Sequence, residues 1–416
     1  MSFRSARGLG ILAVTSLLLG GCGVREKAAG STRVDQITWE ECGEVDCATI
    51  SVTLDRMSTK FGSSARIDLR AYRQISPAAD SRHLPLFVHP GGPGADVRAA
   101  VAAARTALAP IVDDFDIYAL STRGSVDGTA FDCGESLSDL RVIDSDPEAA
   151  SRFAERCNGV SAALIGNIGT RQSVEDLEGF RVMLGFERVR FLGWSYGATL
   201  GAAWAMTHPR SIRSMILDAP SDPRRPWADE LRERYAVASD ALARSSMSTS
   251  RDTAGNARES ALAREYFLYE PNAGGPGSEL AALRLGETPD GSNDGGIETQ
   301  IGVHCADVTH AEARAAIDIV EPTPKIGFGA TFDRVCLKLG ESSTPLTSID
   351  VDRAATRLNV MVMSTLGDHV VPSDVSQRLA KDMLWRRVVV DADRHLSVGF
   401  DPVATKKAMA FLATGD

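Results

Sequence analysis

The stretch from Val189 to Gly197, reading VRFLGWSYG, limits the possible folds of this chain more than any other. An apolar, β-prone run ends at Gly193-Trp194-Ser195-Tyr196-Gly197, and Ala198 to Met206 continues with a helical pattern. A strand can turn into a helix this abruptly only through a strained residue, with glycines beside it where a side chain would clash. The strain lifts the Ser195 hydroxyl clear of the sheet, and the helix start turns its positive end toward any negative charge forming there. A glycine-rich turn without chemistry would read the same way in isolation, so the surrounding pattern has to decide.

That pattern is strands alternating with helices. Ile50 to Leu54 and Ile67 to Arg73 read as two early strands, antiparallel and at an edge. Leu84 to His89 and Phe115 to Leu120 are short apolar strands, with an Ala-rich helix from about Ala95 to Leu108 between them. Val174 to Leu184 is an amphipathic helix leading into the serine strand, and Ile212 to Leu217 is the next strand. Near-continuously apolar strands imply a mostly parallel central sheet with helices on both faces, an α/β fold. From 222 to 320 the pattern is helical, broken by a Gly/Pro/Asn-rich stretch between Pro271 and Gly296, which predicts an inserted, mainly helical cap. Sheet rhythm returns with Asn359 to Met363, a helix over Ser373 to Met383, Arg387 to Val390 and a closing helix from Pro402 to Leu412. The core is therefore expected in two parts, 35–221 and 321–416, around the cap.

Residues 1–21 stand apart. Arg4 and Arg7 precede a short apolar run from Leu9 to Leu19, too short to span a bilayer comfortably, and the segment closes on Leu19-Gly20-Gly21-Cys22. This predicts an export signal whose small residues before Cys22 resemble a bacterial lipobox; an ordinary cleaved signal with a coincidental cysteine is the alternative. Lipidation at Cys22 would place the protein outside the cell, anchored to the membrane through several acyl chains, with 22–34 as a flexible tether. Setting Cys22 aside leaves an even number of the 7 cysteines, and in an exported chain these are expected as disulfides. Pairing by proximity gives Cys42–Cys47, Cys133–Cys157 and Cys305–Cys336, the two longer loops contributing roughly 3–4 kcal/mol each in the chain-entropy model. The spacing fits no zinc motif and no dinucleotide fingerprint opens the first core strand, so neither metal nor cofactor is implied. With a net charge of −10 and no basic cluster, nucleic acid is excluded as a partner.

A serine hydroxyl is a poor nucleophile near neutral pH and needs a base, which a third group must orient. In this architecture the partners follow in the order serine, acid, histidine, each on a loop at the carboxyl end of a strand. His395 follows the last strand and is the expected base; His369, which would share a loop with the acid, is the rival. Asp368 follows the Asn359–Met363 strand and is the expected acid. Asp218 is the other possibility, though tying down a turn suits it better. An oxyanion hole needs backbone N–H donors: Tyr196, after the nucleophile, and Gly92 or its neighbour Gly91 in His89-Pro90-Gly91-Gly92-Pro93-Gly94.

These residues resemble the tripeptidyl aminopeptidase branch of the α/β-hydrolases, relatives of the proline iminopeptidases secreted by actinobacteria. The resemblance runs from about Trp39 to the carboxyl terminus. It rests on Trp39-Glu40-Glu41-Cys42 with Cys47, the Gly-Gly-Pro-Gly loop, Arg123-Gly124, Cys133, Asp176 with Arg181, Gly-x-Ser-Tyr-Gly, Cys305-Ala306-Asp307, and Gly367-Asp368 with Pro372. It implies an α/β-hydrolase fold and a serine peptidase releasing short peptides from free amino termini through an acyl-enzyme, with Ser195, Asp368 and His395 as its triad. The chain departs from the family pattern at His89, where Asn is frequent, at Ser121-Thr122-Arg123-Gly124, where an acid usually precedes Arg-Gly, and at Arg394-His395-Leu396, a bulkier surround than Gly-His-Gly. An exopeptidase must also hold a charged α-amine, for which Asp307, Glu270 and Asp222 are candidate carboxylates. An extracellular esterase or lipase on the same triad and a non-catalytic peptide-binding lipoprotein are the competing expectations.

Overall fold

The computed structural model describes residues 37–55, 65–134, 148–244, 296–320, 330–368, 370–392 and 394–414, all within one unit, Ile37–Asp416. The expected export signal, Cys22, the tether, the Gly/Pro/Asn-rich stretch, Glu270 and His369 lie outside the described residues.

Among the described residues, nine strands form one sheet in the order β1-β2-β3-β5-β4-β6-β7-β8-β9. They are β1 (Glu40–Cys42), β2 (Val45–Thr53), β3 (Arg66–Gln74), β4 (Leu84–His89), β5 (Phe115–Leu120), β6 (Val189–Trp194), β7 (Ile212–Asp218), β8 (Val360–Thr365) and β9 (Arg386–Val390). The first three run antiparallel, with β3 against β5, and β4 to β9 are parallel. The Cys42–Cys47 disulfide closes the first hairpin.

Strands β5, β6 and β8 are buried at every position, as their mostly apolar runs favour. Phe87 and Phe191 face one core, with the helices Thr170–Met183 and Tyr196–Thr207 packed over them through Phe180 and Trp204. Leu86, Val88, Leu192 and Trp194 face the other, under Val97–Ala107 and Pro402–Thr414. The Tyr196–Thr207 helix is apolar almost all round, consistent with ten of its residues being buried.

Between β7 and β8 the described chain is helical: Trp227–Arg244, Gly296–Asp307, His310–Val320 and Thr331–Cys336. The helical stretch runs past 320, since Cys305–Cys336 ties Thr331–Cys336 to Gly296–Asp307, and the sheet resumes only at Val360. The Cys133–Cys157 disulfide lies beside the first turn of Gly296–Asp307, where the Glu298 carboxylate accepts the Cys133 N–H at 3.2 Å.

Glu298 is fully buried, and burial, reinforced by the nearby Asp132 carboxylate, pushes its carboxyl up to about 7. The folded state therefore holds a proton that the unfolded chain releases at lower pH. Stability carried by this group is intact below about pH 4.5 and is lost as the pH rises toward 7, by roughly 3 kcal/mol in all. Glu298→Gln, neutral at every pH, is expected to raise the urea midpoint at pH 8 and leave it nearly unchanged at pH 4.5. A variant less stable at pH 8 than the parent would contradict this.

Candidate active site

Parallel neighbours bring their carboxyl ends to one edge of the sheet, and here that edge collects the chemistry. His89 at the end of β4 is in register with Gly193 of β6, so the glycine loop after β4 lies directly beside the serine turn. On the other side, Asp218 of β7 aligns with Met363 of β8, and Thr365 of β8 with Val390 of β9. The loops after β8 and β9 carry Asp368 and His395.

Ser195 sits at φ 54°, ψ −124°, immediately before the helix Tyr196–Thr207. Its N–H donates to the Asp218 carbonyl at 2.8 Å, which secures the strained turn to the neighbouring strand. A Cβ on Gly193 would come within 2.4 Å of the Gly197 carbonyl oxygen, and one on Gly197 within 2.4 Å of that of His89. Both glycines of the motif are therefore steric necessities.

The Ser195 hydroxyl lies 2.8 Å from His395 Nε2, and His395 Nδ1 lies 2.8 Å from Asp368 Oδ2. Asp368 is fully buried, and its other oxygen accepts the N–H groups of Val370 and Val371, both at 2.9 Å. With that carboxylate as acceptor, Nδ1 carries the proton and Nε2 is left to accept from the serine. Among the described residues, four other histidines are engaged elsewhere: His83 with Asp116, His208 with Thr207, His304 with Asp333 and His310 with the Leu339 carbonyl.

Asp218 holds the histidine loop instead of the histidine. Its carboxylate accepts from Ser397 N–H at 2.9 Å, Val398 N–H at 2.7 Å and the Ser397 hydroxyl at 2.8 Å. Burial pushes this carboxyl up to about 6, against those bonds and the attraction of His395. The bulky Arg394 is absorbed by stacking its guanidinium 4.4 Å from the Phe400 ring centre, while the Thr365 hydroxyl donates to its carbonyl. Trp194 Nε1 donates to the Val398 carbonyl at 3.0 Å, joining the same loop to the serine strand.

In the glycine loop, Gly91 N–H donates to His89 Nδ1 at 3.2 Å. His89 is buried, which pulls its imidazole down to about 3, so the ring is neutral and its Nδ1 free to accept. Gly91 is thus committed, and Gly92 lines the cavity with Ser195 and Tyr196. Tyr196 is the first residue of its helix, so its N–H has no intrahelical acceptor.

The cavity beside Ser195 measures about 250 Å³ and is walled by the glycine loop, the serine turn and the helices between β7 and β8. Trp227, His304 and Phe332 form an aromatic wall, with Trp227 and His304 edge to face at 4.9 Å. Asp307 reaches the cavity but directs one oxygen to the Thr170 N–H at 2.7 Å and the other to the Thr170 hydroxyl. Burial pushes its carboxyl up to about 6. Asp222 is bound by Arg224 at 2.6 and 2.8 Å. Glu230 also lines the cavity; it is 4% exposed and accepts from Ser221 and Arg234 through Oε1. Sequence reasoning passed over Glu230, whose one signal was its place in the first turn of the first inserted helix. Among the described residues, no group of three or more His, Cys, Asp or Glu could hold a metal ion.

A strained serine between strand and helix, with a histidine and a buried aspartate brought beside it by later strands of a mostly parallel sheet, defines the α/β-hydrolase class. A family model described as the alpha/beta hydrolase fold matches residues 85–402, and the chain belongs to that family. It is similar to the serine protease Hip1 of Mycobacterium tuberculosis, 27% identical over 252 residues, which cover 53% of this chain and 48% of that protein. It also resembles the tripeptidyl aminopeptidase of Streptomyces coelicolor, 24% identical over 211 residues, covering 45% of this chain and 39% of that one. Among solved structures, proline iminopeptidase from Mycobacterium smegmatis matches with a TM-score of 0.49 and 17% identity, over 84% of this chain and 95% of that one. The chain spans about half the length of the curated relatives it matches, or less.

Proposed function

We propose that the protein is an exported serine peptidase that cleaves short peptides from free amino termini. The observation that carries this reading is the hydrogen-bonded line from the Ser195 hydroxyl through His395 to the buried Asp368. Ser195 Oγ attacks the scissile carbonyl carbon as His395 Nε2 takes its proton, and the carbonyl oxygen becomes an oxyanion between the N–H groups of Tyr196 and Gly92. The C–N bond then breaks, His395 returns the proton to the departing amine, and the acyl group stays on Ser195. Water, deprotonated by the same imidazole, releases it. Asp368 keeps the imidazole in register and stabilises its charged form.

The helices between β7 and β8 serve as the cap that closes the cavity and admits only chain ends. For the α-ammonium, Glu230 is the better-placed carboxylate, because its Oε1 takes the Ser221 and Arg234 donors while Asp307 meets Thr170 with both oxygens. Burial of that pairing would strengthen it. The lipobox-like segment supports anchoring through Cys22; no helix among the described residues is long and apolar enough to cross a membrane.

A panel of tripeptidyl and dipeptidyl anilides with free amino termini, the same compounds acetylated, and short acyl esters tests the reading. Free peptides are expected to exceed their acetylated counterparts in kcat/KM by at least about tenfold, the size of one well-placed ion pair. Equal rates on acetylated peptides would remove the exopeptidase claim, and turnover of esters alone would make the protein an esterase.

A further inference from the structure

The glycine loop and the serine turn, which together make the oxyanion cradle, are backed by one helix of the segment between β7 and β8. At the glycine loop, Thr299 of the Gly296–Asp307 helix lies so close to Gly94 that a Cβ there would meet the Thr299 Cβ at 2.9 Å. The Thr299 hydroxyl is pinned by donating to the Gly124 carbonyl at 2.7 Å.

At the other wall, the last residue of the same helix reaches the oxyanion donor through an intermediary. Thr170 opens the helix Thr170–Met183, whose preceding residue, Gly169, makes no side-chain cap. Asp307 supplies that cap from a distant part of the chain, accepting the Thr170 N–H at 2.7 Å. A Cβ on Gly169 would lie 2.8 Å from Asp307 Oδ1, so only glycine allows the approach. The Thr170 hydroxyl also donates to Asp307, and Tyr196 OH lies 2.9 Å from the Thr170 oxygen. An ionised carboxylate only accepts, so the hydroxyl protons run in one direction: Tyr196 donates to Thr170, and Thr170 to Asp307. Cys305, two residues before Asp307, is bonded to Cys336, which fixes this end of the helix.

We propose that Asp307 and Thr170 are positioning residues for the reaction: through their hydrogen bonds they hold Tyr196 so that its backbone N–H faces the developing oxyanion. The inference rests on the hydrolase reading above. It makes the segment between β7 and β8 a working part of the cradle as well as a cover over it. Oxyanion stabilisation depends on donors fixed in advance, and a donor that must be reordered during the reaction loses most of its value.

The test uses the full-length protein and a short acyl ester, which carries no amine and so removes any contribution of Asp307 to amine binding. Tyr196→Phe and Thr170→Val each delete hydroxyl bonds of the relay with little change in shape. Each is expected to lower kcat about 10- to 100-fold, less than outright loss of a donor, with KM within about twofold. The double variant is expected to be no slower than the worse single one, because both break the same chain. Thr170→Ser, which keeps the hydroxyl, should restore kcat. Thermal unfolding of each variant separates a loosened cradle from a loosened fold, and Asp307→Asn, expected to lower kcat similarly, replaces Thr170→Val if that variant does not fold. Single-variant kcat within about threefold of the parent, or multiplicative losses in the double variant, would overturn the relay and leave the hydrolase reading standing. A parent protein that turns over no substrate and takes up no fluorophosphonate would instead remove the hydrolase reading itself.

Discussion

Ser195→Ala is expected to abolish labelling by a fluorophosphonate and to lower kcat about 10⁶-fold, with the fold unchanged. Alanine leaves His395 and Asp368 in place but removes the atom that attacks in the proposed mechanism, and members of such a triad act as a unit, so losing one would forfeit most of what all three supply. The residual rate, about 10³- to 10⁴-fold above water, would come from the cradle of Tyr196 and Gly92. His395→Ala should fall to a similar level, because the serine then has no base at 2.8 Å. Mass spectrometry of the labelled peptide containing Tyr196 and single-turnover kinetics are the measurements. Labelling that persists in Ser195→Ala would place the nucleophile elsewhere and take the peptidase proposal with it.

Asp176→Ala is expected to cost about 3–5 kcal/mol of folding stability, read as a drop in the urea midpoint. Arg123 and Asp176 are buried together, joined at 2.7 and 3.2 Å. Removing the carboxylate leaves a guanidinium that cannot lose its proton and has no route to water. The pair cannot simply be replaced by apolar residues, because Arg123 also donates to the carbonyls of Thr53, Leu54 and Asn167. Thr53 and Leu54 form one segment, far from Asn167 in the chain, and Arg123 is the polar centre the two segments share. Asp176→Asn, which keeps an acceptor, should cost less. A loss under about 1 kcal/mol in Asp176→Ala would mean that water reaches the guanidinium after all. The effect should extend to activity, since Gly124, next in sequence, supports Thr299 behind the glycine loop.

The same pair marks where sequence reading stops. Asp176 and Arg181 both stood out, five positions apart on one helix. In the folded protein Asp176 faces inward to Arg123, and Arg181 pairs with Glu178 at 2.6 Å. Helical spacing tells which residues share a face, but not which distant residue a buried charge will meet. Asp307 is a similar case: its type and its place beside a cysteine were visible, and its use of both oxygens on Thr170 was not. That His89 Nδ1 takes up the Gly91 N–H, which favours Gly92 as the donor proposed above, also needed coordinates.

What the sequence determined by itself is everything written in local period and punctuation. The apolar runs predicted β4 and β5 to the residue and the other parallel strands to within about two residues, because a strand buried on both faces is nearly continuous in apolar residues and stands out from the polar segments around it. The glycines around Ser195 announced a turn that no Cβ could enter. Chain order alone suggested which aspartate and which histidine would follow. Tertiary structure decided the rest: the His395 ring within 2.8 Å of the serine, Asp218 directed to the loop at Ser397 and Val398, and the Gly296–Asp307 helix set against both Gly94 and Gly169. Those are contacts between residues scores to hundreds of positions apart, set by strand order and side-chain direction, and neither quantity is carried by any short stretch of chain.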